Sequence, residues 1–174
     1  RAPEGTYDRA IVADLATFRG DGQAGLVICR ALLEHVADVP GAYRALASTL
    51  QPGGRALLFI PSRNAAFARL NLLLPEGLKR WLLFTVFPES QRGQGFPAFY
   101  RRCTPREAQA LARSVGLEVE ACHLYWYSNY FSFLLPLHVL WRGWTLLFRI
   151  LAPVQSAETF TLVLRRPEAG APAA

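Results

Sequence analysis

The chain has 174 residues, enough for one domain with a hydrophobic core. Apolar residues make up 52% and charged residues 18%, which excludes an intrinsically disordered chain. The net charge of +6 comes from arginine, with Lys79 the single lysine; there is no long Lys/Arg run and no nucleic-acid motif, so nucleic acid is not an expected partner.

Cys29, Cys103 and Cys122 are widely spaced and form no CxxC pair, so neither a zinc site nor a disulfide framework is indicated. A reducing cytoplasm fits them. The chain opens at Arg1 without a signal peptide and contains no methionine, a combination that points to an internal fragment of a longer protein.

In chain order, Arg9–Asp14 is a short apolar run ending in an acid and reads as a strand. Gly20–Gly25 is a loop by composition. Leu26–Arg30 is continuously apolar up to its last residue, as in a strand buried on both faces of a parallel sheet. From Asp38 to Leu50, Val39, Ala42, Tyr43, Leu46 and Leu50 recur at helical spacing, and Gln51-Pro-Gly-Gly54 ends that helix. Arg55–Ile60 is the next buried strand, closed by Pro61. Thr104-Pro-Arg-Glu107 is a helix start with a capping box, and Gly116 is its C′ residue. Leu117–Tyr127 and Glu158–Arg165 read as two further strands, and 167–174 as a frayed tail. Alternating strands and helices predict an α/β fold with a mostly parallel sheet, in which ligands sit at the carboxyl ends of the strands. Those ends are Asp14, Cys29-Arg30 and Pro61-Ser62.

The order of strand and acid, strand and Leu33-Glu34-His35, helix, Pro52-Gly53-Gly54, strand and Pro61 resembles the class I S-adenosylmethionine-dependent methyltransferases that act on small molecules. The likeness is carried by residues 9–61 and continues over 104–166 in element order alone. It implies a Rossmann-like sheet lacking its first two strands, with apolar helical insertions at 65–99, after the fifth strand, and at 130–154, between the last two. Residues 1–166 would then be the C-terminal part of one methyltransferase domain. It implies that Asp14 bonds the adenine amino group, that Leu15 offers its backbone amide to the ring, and that Cys29, Arg30 and Ala31 lie against the methionine part of the cofactor. His35 matches the histidine of the Leu-Glu-His motif and is the one catalytic candidate. Two departures stand out: the 174 residues contain no Gly-x-Gly-x-Gly loop, and Gly25 stands where the family has Phe-Asp.

The acceptor is expected to be lipophilic, because Ala65–Phe87 and Tyr130–Ala152 are rich in Leu, Phe and Trp. Within the second stretch His138, Arg142, Thr145 and Arg149 share one helical face, and the other face is apolar. Three arrangements suit these stretches: a hydrophobic cap over the site, a peripheral membrane contact through 130–152, or a homodimer interface. Two arginines argue against a span across the bilayer. Arg63, Asn64, Tyr100, Arg101, Tyr125 and Tyr127 are placed to touch substrate. The alternatives are a non-catalytic membrane-associated module with a degenerate methyltransferase fold and, on a related sheet, a nucleotide-dependent oxidoreductase. The expected location is cytoplasmic, peripheral on the inner membrane face if the second stretch meets lipid.

Overall fold

A computed structural model describes residues 5–75, 77–79, 81, 97–127 and 134–168. Strand β1 (Ala24–Arg30) leads through a 3₁₀ turn (Leu33–His35) into helix α1 (Val39–Thr49), then strand β2 (Leu50–Pro61) and helix α2 (Ala66–Leu73). Helix α3 (Pro105–Ser114), strand β3 (Glu118–Tyr125), helix α4 (Leu135–Leu151) and strand β4 (Thr159–Arg165) follow.

The four strands lie in the order β1-β2-β4-β3. β1 and β2 are parallel, whereas β4 is antiparallel to both β2 and β3. The sheet of the described residues is therefore mixed rather than mostly parallel. The cause is the last connection: α4 returns the chain to insert β4 between β2 and β3, so only β1-α1-β2 is a parallel crossover.

Local chemistry explains the elements. Asp38 accepts the Gly41 N–H at 3.1 Å and caps α1. The Thr104 hydroxyl accepts the Glu107 N–H at 3.3 Å and donates to Glu107 Oε2 at 2.7 Å, which closes the predicted box on α3. Gly116 follows α3 at φ +79°, as expected of a C′ residue. The Pro-Gly-Gly segment differs from expectation, since it lies inside β2, where the β1 pairing shifts register between Ala24 and Leu26. Arg9–Asp14 is not a strand: the segment is irregular and exposed. Among the described residues no strand lies beyond β1, so Arg9–Asp14 has no ladder to join.

One face of the sheet carries the core. Ala56, Leu58 and Ile60 of β2 and Phe160, Leu162 and Leu164 of β4 pack with Val39, Tyr43 and Leu46 of α1 and Ala108 and Ala112 of α3. The alternate residues point the other way, where Arg55 bridges to Glu120 and Leu26 and Ile28 remain 54% and 69% exposed.

Candidate active site at the carboxyl edge of the sheet

The carboxyl ends of β1 and β2 are tied together by the Ala31 N–H, which donates to Phe59 O at 3.0 Å. Ala31 sits at φ +47°. The 3₁₀ turn then buries Leu33 and Glu34. Its Glu34 carbonyl accepts the N–H groups of Phe99 (2.7 Å) and Tyr100 (3.0 Å), and the Cys103 carbonyl accepts the Arg63 N–H (2.7 Å). The segment before α3 is thereby bolted across both strand ends. Tyr100 and Arg102 within it also take left-handed backbone angles, at φ +49° and +57°. Three non-glycine residues in this region at one edge mark it as locally strained, a pattern characteristic of functional sites.

His35 donates from Nδ1 to Pro97 O at 3.0 Å, the acceptor being a carbonyl. Its Nε2 lies 3.9 Å from Glu34 Oε1. Glu34 Oε2 and the Tyr43 hydroxyl are buried without a hydrogen-bond partner among the described residues. Burial pushes the Glu34 carboxyl above its ordinary range. Burial, reinforced by the Glu34 charge, pushes the Cys29 thiol to about 11 and the Cys103 thiol to about 12. Both thiols are protonated at neutral pH, so they pack rather than attack or ligate. Among the described residues no cluster could hold a metal ion.

The remaining candidates separate into three places. Asp14 and Leu15 lie in a turn beside the start of α1. Asp14 Oδ1 accepts the Ala16 N–H at 2.9 Å, Leu15 packs against the core, and a Cβ on Gly41 would come within 2.5 Å of the Ala16 carbonyl oxygen. Arg63 and Arg101 line an open cleft of about 370 Å³ with Arg102 and Glu107, under Val39 and Pro40. Tyr125 and Tyr127 line a second groove of about 490 Å³ with Phe59 and Trp126.

Two further substrate candidates are bonded or buried within the protein. Asn64 donates to Gln155 O at 3.0 Å and accepts from Arg69 at 3.2 Å, which fixes the start of α2. Tyr100 is buried, 4% exposed. Of the cofactor candidates, Cys29 is buried in the core cluster and Arg30 is exposed at the end of β1. The sequence reading passed over Glu34, although it stands in the same Leu-Glu-His motif. It also missed Phe59, Trp126 and Arg102, which no spacing singles out.

A family model for a methyltransferase domain matches residues 2–121, more than half of the chain. The chain belongs to that family. Among curated relatives, the ubiquinone biosynthesis O-methyltransferase of Ralstonia nicotianae is 29% identical over 108 residues, covering 62% of this chain and 41% of the relative. The enzyme of the same name from Xanthomonas axonopodis pv. citri is 32% identical over 109 residues, covering 63% and 41%. The matches thus span about two fifths of these relatives.

Solved structures agree on the fold. An S-adenosylmethionine-dependent methyltransferase from Mesorhizobium loti superposes with TM-score 0.52 at 16% identity, covering 95% of this chain and 72% of that one. Another from Archaeoglobus fulgidus gives 0.50 at 12% identity, covering 94% and 69%.

Three features suit the S-adenosylmethionine expected from the sequence. The Asp14 carboxylate is exposed, the Leu15 amide follows it, and the Ala31 turn ends β1. The 174 residues hold no glycine-rich loop to cradle the cofactor's carboxylate and ribose.

Proposed function

We propose that this chain is the C-terminal part of a domain that transfers the methyl group of S-adenosylmethionine to an O, N or C atom of a small lipophilic acceptor. S-adenosylmethionine supplies an electrophilic methyl group on a sulfonium. The residues of this chain supply position. Asp14 and Leu15 hold the adenine end, and Ala31, flanked by Cys29 and Arg30, forms the wall beside the methionine end. The acceptor lies in the groove of Phe59, Tyr125, Trp126 and Tyr127.

The observation that carries the acceptor class is that groove: three aromatic rings from β3 and its extension, and one from β2, beside the same strand ends that position Ala31. Phe59 and Tyr125 already meet there, with ring centroids 6.5 Å apart. A quinone-like or polyketide-like ring suits it, and the names of the curated relatives favour the quinone-like class. Transfer from a sulfonium is an in-line displacement, so positioning can supply most of the rate. A base is needed only for a protonated acceptor, and His35 is the group in place for it.

Among the described residues no strand pairs with the outer edge of β1, which supports the domain reading, because that edge and the exposed Leu26 and Ile28 are ready to receive another strand and its covering helix. Calorimetric titration of S-adenosylhomocysteine into this chain and into a version extended upstream tests the proposal. Binding is expected from the extended protein, weakened about tenfold by Asp14→Asn through loss of a charge-assisted hydrogen bond. Binding by neither protein would sink it.

A further inference from the structure

Helix α4 is amphipathic in the reverse of the usual sense. Its polar residues face the protein. Arg142 donates to Trp126 O at 3.0 Å and covers the Tyr127 ring at 5.4 Å. Arg149 lies 4.3 Å over the Trp126 ring. Thr145 is buried, and Trp141 Nε1 donates to the buried Glu158 at 2.9 Å. The side chains turned outward are Leu140, Trp144, Leu147, Ile150 and Leu151, each at least half exposed. A soluble surface helix places these two faces the other way round.

We infer that the outer face of α4 docks on an anionic lipid bilayer. Three observations select that occupant. From Ala121 to Ala157 the sequence contains no Asp or Glu, so the two arginines leave this stretch net positive, and Arg69 stands exposed on α2, whose start is held through Asn64 to Gln155 in the segment after α4. Such a surface complements phosphate headgroups. The helix has 17 residues, and among the described residues none is long and apolar enough to cross a membrane, so α4 would lie in the interface. Finally, the inward arginines hold Trp126 and Tyr127, two walls of the aromatic groove, which puts the groove beside the lipid surface. The docking stands on the two faces of α4 and does not depend on methyl transfer.

Flotation of the 174-residue chain tests it, using phosphatidylcholine vesicles with and without about one third phosphatidylglycerol. The anionic vesicles should bind at least about tenfold more protein, and about 0.5 M salt should reduce that preference. Leu140→Glu/Leu147→Glu should abolish binding while leaving the circular dichroism spectrum unchanged, since both side chains point outward. Brominated lipid should quench the tryptophan emission of the wild-type chain, and Trp144→Phe should remove that quenching. The inference is overturned if the anionic vesicles bind no protein, or if the double variant binds as well as wild type. It is equally overturned if light scattering gives a two-chain mass that the double variant reduces to one, which would assign the face to a second copy. Vesicle binding is read without cofactor and S-adenosylhomocysteine binding without lipid, so either reading can fail alone.

Discussion

The two faces of the sheet differ in kind. On one, Ala56, Leu58 and Ile60 are sealed beneath α1 and α3 together with Phe160 and Leu162. On the other, Leu57 and Phe59 are half-buried, Leu26 and Ile28 are exposed, and the Arg55–Glu120 ion pair stands in solvent. Both faces come from the same strands, read at alternate residues. Stability therefore resides on one side of the sheet, and the other side is left open.

The largest expected contrast is between neighbours on β2. Leu58→Ala should cost about 2–5 kcal/mol through lost burial and a cavity, whereas Leu57→Ala should cost under about 1 kcal/mol. Urea unfolding of both variants would measure this, and equal losses would break the comparison.

Glu34→Gln sharpens the comparison through pH. Burial raises the carboxyl's pKa in the folded chain, so its favourable contribution is complete below its ordinary value of 4.5 and is lost as pH rises through the raised value. The glutamine variant should therefore match wild type near pH 4 and melt at a higher temperature near pH 7.5, as thermal scans at the two values would show.

Thr104→Ala removes the cap of a helix on the sealed face and should cost about 1 kcal/mol by urea unfolding. Arg55→Ala on the open face should have the smallest effect of the set. Its bidentate contacts to Glu120, 2.7 and 3.0 Å, are fully solvated, so any loss should disappear in a high-salt melt.

The sealed side was the legible side. Helical spacing placed α1, and its Asp38 cap and the Thr104–Glu107 box form as their sequences require. Continuous or alternating apolar runs placed β1 and β4 within a residue or two, whereas β2 begins five residues before the expected Arg55. Periodicity also grouped the polar face of α4 correctly. It could not tell which way that face points, because this helix reverses the rule that apolar means inward.

What failed depended on pairing. Arg9–Asp14 has the composition of a strand but no neighbour, and a strand is defined by its partner. The antiparallel entry of β4 could not be read from alternation of elements. A hydrophobic cap made by the two apolar stretches is not what the described residues form, since Leu73 of α2 and Leu140 and Ile150 of α4 are all more than two-thirds exposed. Residues 76, 80, 82–96 and 128–133 and the tail beyond Glu168 lie outside the described residues.

At the candidate site, motif spacing singled out His35 and Ala31 but not the buried carboxyl beside them. Glu34 looks like any surface acid until the 97–103 segment is seen folded over it. Asn64 and Tyr100 have the polarity of substrate contacts near a strand end, but Asn64 holds the Gln155 carbonyl and Tyr100 is buried.

The position of β4 sets an order of events during synthesis. It lies between β2 and β3 yet is made after both, and Arg166 just beyond it donates to the Ala47 and Leu50 carbonyls at the end of α1. Until that segment leaves the ribosome, β2 and β3 each present an open edge, and the first helix lacks its final clasp. A nascent chain halted before residue 166 would therefore expose two unpaired strand edges, the form most prone to pair with a neighbouring copy.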